Sequence, residues 1–417
     1  MPVALPRDQV RSTVARIVTE TPVFDIHTHL YSAPFGKLLL WGPEDLITYH
    51  YLIAEVCRTD RDLTPERYFA MPRAQQAEHI WRQLFLENSP LSEARRGVLT
   101  SLSALGAEVG SKDWPTIRDH FAGVTVEQHI DRVFAAANCR GVVMTNDPLD
   151  DAERAVWEQG FAADPRFKAA LRLDGLLVFL ERNVARLQAM GYDVSPALTG
   201  AHLAEARRFL SDWIKRLDPV YMAVSLPDSF QYPEDSVTGK LIAEAVVPVA
   251  RETGVPFALM IGVKRLINPA LQLAGDGVGR ADVGAVERLC AENPEVRFLA
   301  TLLSLENQHQ LAVAARKFPN LMVFGCWWFL NNPSLIEPIT RMRLELLGTS
   351  FIPQHSDCRV LDQLVYKWAH SRTIIASCLA EKYELAAAAG WPVTEDEIQR
   401  DVRKLLSDNF TEFVGKA

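Results

Sequence analysis

The segment Val23-Phe24-Asp25-Ile26-His27-Thr28-His29 reads as a short buried strand that ends in two histidines spaced i and i+2. In a strand, side chains two apart share a side, so His27 and His29 turn toward one point at the strand's end. That geometry suits a metal ion, since imidazole is the commonest metal ligand. Far downstream, Gln354-His355-Ser356-Asp357-Cys358-Arg359 follows another short apolar run and offers a carboxylate. The first and last strands of a closed barrel are neighbours, so His27, His29 and Asp357 meet if the strands between them close a ring.

Apolar runs of the right length lie in between. They are Gly141–Thr145, Ala169–Leu173, Val220–Ser225, Pro256–Ile261, Val296–Thr301, Leu321–Phe324 and Thr349–Ile352, eight with the first. Helical periodicity separates them at residues 151–159, 203–216, 236–252, 281–292, 307–317 and 334–347. Strands alternating with helices imply right-handed crossovers and a parallel sheet. Eight such units predict an α/β fold, a (β/α)8 TIM barrel, whose active site lies at the C-terminal ends of the strands.

The barrel is not uniform. A helical pattern over residues 7–19 precedes the first strand, and residues 30–138 carry helical segments, among them 43–58, 73–86 and 125–137, with no convincing strand. The predicted organisation is an N-terminal helix with strand one (1–29), a helical insertion over the barrel mouth (30–139), and the remaining barrel with extra C-terminal helices (140–417). A chain of 417 residues could hold several domains, yet a barrel with insertions reaches this length as one unit.

Composition narrows the function classes. With 48% hydrophobic and 23% charged residues the chain is ordinary for a globular protein with ample core. A net charge of −8 argues against nucleic-acid or anionic-membrane partners. An anionic substrate must therefore be met by local arginines. The six cysteines lack CxxC spacing and read as reduced thiols, and residues 1–11 lack the apolar core of a signal peptide, so a cytoplasmic location is expected. Barrels with helical insertions often pack into homo-oligomers through them, but no stretch of the chain fixes that state. Gly275-Asp276-Gly277-Val278-Gly279 lacks the lysine and the strand–turn–helix setting of a phosphate loop, and reads as a mobile loop. No nucleotide cofactor is expected.

Two imidazoles and one carboxylate leave open positions on a zinc-like divalent ion, one per subunit, which points to catalysis rather than structure. Arg172, at the end of the Ala169–Leu173 run, and Arg359, after the last run, could clamp a carboxylate through their planar forks. Trp327 and Trp328 offer flat apolar walls of the kind that stack on a ligand ring and exclude water. His50 could donate to a substrate oxygen or simply pack, and Tyr51 could carry protons or simply pack on its helix. His309 falls within a helix and reads as structural.

Four motifs in order carry a family resemblance: Asp25-Ile-His-Thr-His-Leu30, Tyr49-His50-Tyr51, Trp327-Trp328-Phe329 and Asp357-Cys358-Arg359. Together they resemble uronate isomerase, of the amidohydrolase superfamily, over essentially the whole chain. The resemblance implies an aldose–ketose isomerase that interconverts D-glucuronate with D-fructuronate and D-galacturonate with D-tagaturonate. By position it implies metal at His27, His29 and Asp357, proton transfer by Tyr51, and substrate binding by Arg359. Two departures stand out: Cys358 where the family usually has serine, and Met260 where many relatives carry a histidine. The alternative reading is a mononuclear metal-dependent hydrolase of a sugar lactone or related sugar acid. A binuclear centre lacks support, because strand four supplies no bridging ligand and strands five and six end without histidine.

Overall fold

Residues buried on both faces of a sheet make near-continuous apolar strands, and the strands here have that character. In the computed structural model, which describes residues 3–415, they are β1 Val23–Thr28, β2 Cys139–Asn146, β3 Phe167–Arg172, β4 Met222–Pro227, β5 Phe257–Lys264, β6 Gly277–Val278, β7 Phe298–Leu302 and β8 Leu321–Val323. The sheet runs β1-β2-β3-β4-β5-β7-β8, every neighbouring pair parallel. It is curled, with helices outside, in a TIM-barrel-like arrangement.

Alternation along each strand sorts the core into two layers. Ile26, Val143, Ala170, Tyr221, Ala258, Leu299 and Phe324 fill the inside of the curl. Leu171, Met222, Val224 and Phe257 face out, against helix residues such as Leu210, Trp213, Val246 and Leu289. The C-terminal helix Asn409–Val414 stoppers the N-terminal end of the sheet, where Phe410 stacks on Phe24 with centroids 5.9 Å apart.

The run Thr349–Ile352 departs from expectation. It makes one parallel bridge, between Ile352 and Phe324, rather than a ladder. Pro353 follows at once, and a proline has no N–H to continue the pairing. The chain then joins the other edge by a different route: Asp357 N–H donates to His27 O at 3.2 Å and His29 N–H to Cys358 O at 2.7 Å. These bonds bring the two ends of the curled sheet together.

Among the described residues every helix or strand between β1 and β2 is helical. This region has its own apolar cluster, including Ile47, Tyr49, Leu52, Tyr68, Trp81, Leu102 and Trp114. The helix expected over residues 43–58 is split into Pro43–Ile47 and His50–Thr59, with Tyr49 extended at φ −69° and ψ 150°. The helix expected over 236–252 carries a π-turn at Ile242–Val246, which accommodates Pro248 without the clash it would cause in a regular helix.

Gly275–Gly279 is not the slack loop that its glycines suggest. β6 within it pairs antiparallel with β5, Val278 opposite Val263 and Gly277 opposite Lys264. Gly275 is required by contact, since a Cβ there would run into Asn268 O. All six cysteines are free, and no helix among the described residues is long and apolar enough to cross a membrane.

Candidate active site

β1 ends in the histidine pair, and the segment after Ile352 delivers Asp357 beside them. One ligand atom from each of His27, His29 and Asp357 lies within 4.8 Å of the others. Asp357 Oδ1 is 3.7 Å from His27 Nε2 and 3.5 Å from His29 Nε2. That oxygen is buried and has no hydrogen-bond partner. A buried carboxylate oxygen left without a donor, facing two imidazole nitrogens, fits a site for a divalent cation.

The arrangement is braced from behind. The Tyr221 hydroxyl donates to Ile26 O at 2.8 Å, because a carbonyl can only accept. Its oxygen is then the acceptor for His27 Nδ1–H, 2.9 Å away. This fixes the tautomer and leaves the Nε2 lone pair facing Asp357. Asp25, separated from His27 by an irregularity in the β1–β2 register, is fully buried. It accepts from Ser356 N–H at 3.1 and 3.2 Å and from Trp368 Nε1 at 2.8 Å, so it ties the Asp357 loop to β1.

Burial dominates the electrostatics. It pushes His27 down to about 3, assisted by the Arg172 and Arg359 charges, and lowers His29 in the same way. Both rings are therefore neutral, the form that binds metal. Burial raises Asp357 to about 7, against the pull of Arg359 and Lys367. Asp25 is raised by burial to about 6, against its hydrogen bonds to Ser356 and Trp368.

A cleft opens over this cluster. Among its walls are Tyr49, His50, Arg172, Trp327, Trp328 and Arg359, so the structure brings together every residue expected at the site except Tyr51. Tyr51 lines an adjoining depression with Glu93 and Lys367, and His50 and Trp328 are walls of both. The phenol that lines the cleft itself is Tyr49, whose ring stands perpendicular to that of Tyr51 with centroids 5.0 Å apart. Arg172 pairs with Asp174 at 3.1 Å, and among the described residues no carboxylate pairs with Arg359. Besides Asp357 Oδ1, two further polar atoms of cleft-wall residues are buried without a partner, His50 Nε2 and Trp328 Nε1.

Of the departures noted in sequence, Cys358 is buried in the apolar cluster that includes Leu361 and Phe351, and Met260 is buried inside the curl. His309 is exposed on the helix Gln308–Ala315, away from the site. Sequence reasoning passed over Tyr49, Tyr221, Asp25 and Arg265, the last another residue of the cleft.

Comparison with known structures decides the family. A uronate isomerase from Bacillus halodurans superposes with a TM-score of 0.97 and 52% sequence identity, covering 99% of this chain and 98% of that one. The chain belongs to the uronate isomerase family. A uronate isomerase from Thermotoga maritima and a glucuronate isomerase from Caulobacter crescentus share the fold, each with a TM-score of 0.76 and 15% identity. The former match covers 98% of this chain and 99% of that one, the latter 98% and 94%. No protein-family model and no curated protein matches the chain.

Proposed function

We propose that this member of the family is itself a uronate isomerase, interconverting D-glucuronate with D-fructuronate and D-galacturonate with D-tagaturonate. The observation that carries the reading is one cleft in which Arg359, a guanidinium with no carboxylate ion-paired to it among the described residues, meets the His27/His29/Asp357 cluster and unpartnered polar atoms of His50 and Trp328. An acidic sugar needs such a cation, and its hydroxyls and carbonyl supply partners for the orphaned groups. In fold terms the sheet is read as a (β/α)8 barrel whose eighth stave is reduced to the Ile352 bridge. The helices of residues 30–139 form its mouth. The cytoplasm, where free thiols persist, is the fitting compartment.

Moving a carbonyl from C1 to C2 takes a proton from C2, passes through an enediol, and returns a proton to C1. Electrons balance within the substrate, so no nicotinamide is needed. A divalent cation such as Zn2+, held by His27, His29 and Asp357, would polarise the carbonyl and offset negative charge developing on oxygen. The remaining work falls to side chains. Asp357, at the floor of the cleft, is the base that takes the carbon proton. Tyr51 handles protons at oxygen, including ring opening, from the depression beside the cleft. Arg359, with Arg172, binds the carboxylate. His50 is held neutral, lowered to about 3 by burial with Arg359 and Lys367 nearby, and donates to or accepts from a sugar hydroxyl. Trp327 and Trp328 exclude water from the sugar face.

Proton NMR of zinc-loaded protein with D-glucuronate in D2O tests this reading. Ketose signals and deuterium entering the sugar are expected, and Asp357→Asn or Arg359→Met should abolish both. Absence of turnover with both D-glucuronate and D-galacturonate would remove the substrate assignment.

A further inference from the structure

β5 continues past Ile261, its last residue paired with β7, and its extension Val263–Lys264 is hydrogen-bonded to β6 instead. The loop between β5 and β6 is built rather than slack. Arg265 Nη1 donates to Asp276 Oδ2 at 2.7 Å, Leu266 N–H to Asp276 Oδ1 at 2.8 Å, and Asn268 N–H to Gly275 O at 3.1 Å. Leu266 and Gln272 hold positive φ of 51° and 52°, a cost that these bonds offset. Ala274 packs on the apolar cluster of the 30–138 helices, so the loop bridges sheet and insertion.

Three residues of this segment, Arg265, Leu273 and Asp276, are walls of the cleft that holds His27, His29 and Asp357. Asp276 is buried, its side chain 3% exposed, while that of Arg265 is 40% exposed. A buried carboxylate thus aims a guanidinium whose other donors remain available. The three arginines of the cleft are not equivalent. Arg172 and Arg359 act directly on the histidines' charge; Arg265, on the loop beyond β5, stands at the rim.

We propose that Arg265 is a specificity-determining substrate contact. It donates hydrogen bonds to the hydroxyls of the open-chain uronate on the side remote from the histidine cluster. This rests on the isomerase reading above. The reacting carbons C1 and C2 must lie against Asp357 and the carboxylate on Arg359 and Arg172, so the middle of the chain, C3 to C5, bows toward the rim. D-glucuronate and D-galacturonate differ only at C4, within that middle part. The preference between them is therefore set where Arg265, positioned by Asp276, meets the chain.

The test uses zinc-loaded full-length protein, wild type and Arg265→Met, with Arg265→Lys and Asp276→Asn alongside. Binding of each uronate is measured by calorimetry and conversion by a steady-state assay. In Arg265→Met, Kd and KM for the better epimer should rise about ten-fold, the low end for a hydrogen bond to a charged group. kcat should move less than three-fold, and the ratio of kcat/KM between epimers should fall toward one. Arg265→Lys, which keeps charge but not the fork, and Asp276→Asn, which loosens the aim, should lie in between. Values of Kd and KM within two-fold of wild type for both epimers, with circular dichroism and zinc content unchanged, overturn the proposal. A wild type that binds uronates without converting them removes the isomerase reading alone, and the Kd ratio still decides Arg265. A wild type that neither binds nor converts either uronate removes both.

Discussion

Replacing Tyr221 by phenylalanine isolates one oxygen at the back of the metal-ligand cluster. The ring is fully buried, stacks near His27 with centroids 6.4 Å apart, and meets Phe410 edge-on at 6.0 Å. Phenylalanine keeps both contacts and removes only the hydroxyl between His27 Nδ1 (2.9 Å) and Ile26 O (2.8 Å). Two effects follow. Stability should fall by about 1–3 kcal/mol, because the buried Nδ1–H is left without an acceptor. Zinc affinity should fall about 10- to 100-fold, since His27 loses the partner that fixes its tautomer and ring orientation. Thermal melting of metal-free protein reads the first effect. Competition with a chromophoric chelator reads the second. A variant that melts lower yet binds zinc within two-fold of wild type would refute the tautomer argument, leaving Tyr221 as packing and hydrogen bonding alone.

Three more outcomes are expected. Asp25→Asn turns one of two acceptor oxygens into a donor facing Ser356 N–H or Trp368 Nε1–H, and should cost about 1–3 kcal/mol in a melt, with a changed tryptophan emission; an unchanged melt would contradict the brace. Glu153, buried and bonded by Tyr31 at 2.6 Å and Asn146 at 3.1 Å, is raised by burial to about 7. A carboxyl raised on folding contributes stability below its ordinary range, near pH 4.5, and loses it as pH climbs through about 7. Glu153→Gln should therefore gain on wild type between pH 5 and pH 8, by at most about 3 kcal/mol, and parallel pH–stability curves would sink this. Tyr51→Phe should lower kcat of isomerisation about 100-fold with KM little changed, as for loss of a proton-transfer group, whereas a full effect from Tyr49→Phe instead would move that role to the phenol that lines the cleft.

The parts of the fold that were legible are those written in short-range periodicity. Seven of the apolar runs are strands because each is long enough to pair with at least one parallel neighbour and is largely buried on both faces. The helix boundary at Thr48–Tyr49 was not legible, since the apolar spacing of residues 43–58 continues through the break. The consequence lands in the site. Extended at the N-terminus of its helix, Tyr49 lines the cleft, while Tyr51, to which the resemblance gave proton transfer, lines the depression beside it. Tyr221 and Arg265 were hidden for another reason. A tyrosine inside an apolar run and an arginine beyond a strand are common, and only the partner that the fold supplies, Ile26 O or Asp276, makes either particular.

Asp357 shows most clearly where pattern stops and long-range structure begins. Its φ of 54° lies in the left-handed region, which costs a non-glycine residue about 1–3 kcal/mol and persists only where the surroundings over-determine it. They do so here without a strand ladder. Asp25 takes Ser356 N–H. Asn331 Nδ2 donates to His355 O at 3.0 Å and Ser356 O at 2.9 Å, and Gln354 Nε2 holds Asn331 Oδ1 at 2.7 Å. The backbone bonds to His27 and His29 complete the frame. Each bond joins the loop to one of two separate stretches of chain, β1 with His29 just after it or Asn331 in the segment after β8. A motif quoted from residues 354 to 359 names the ligand but not what holds it. Strain in Asp357 is therefore the cost of aiming Oδ1 at two histidines, met by polar side chains spread along the whole sequence rather than by the local β pattern that the eighth run led one to expect.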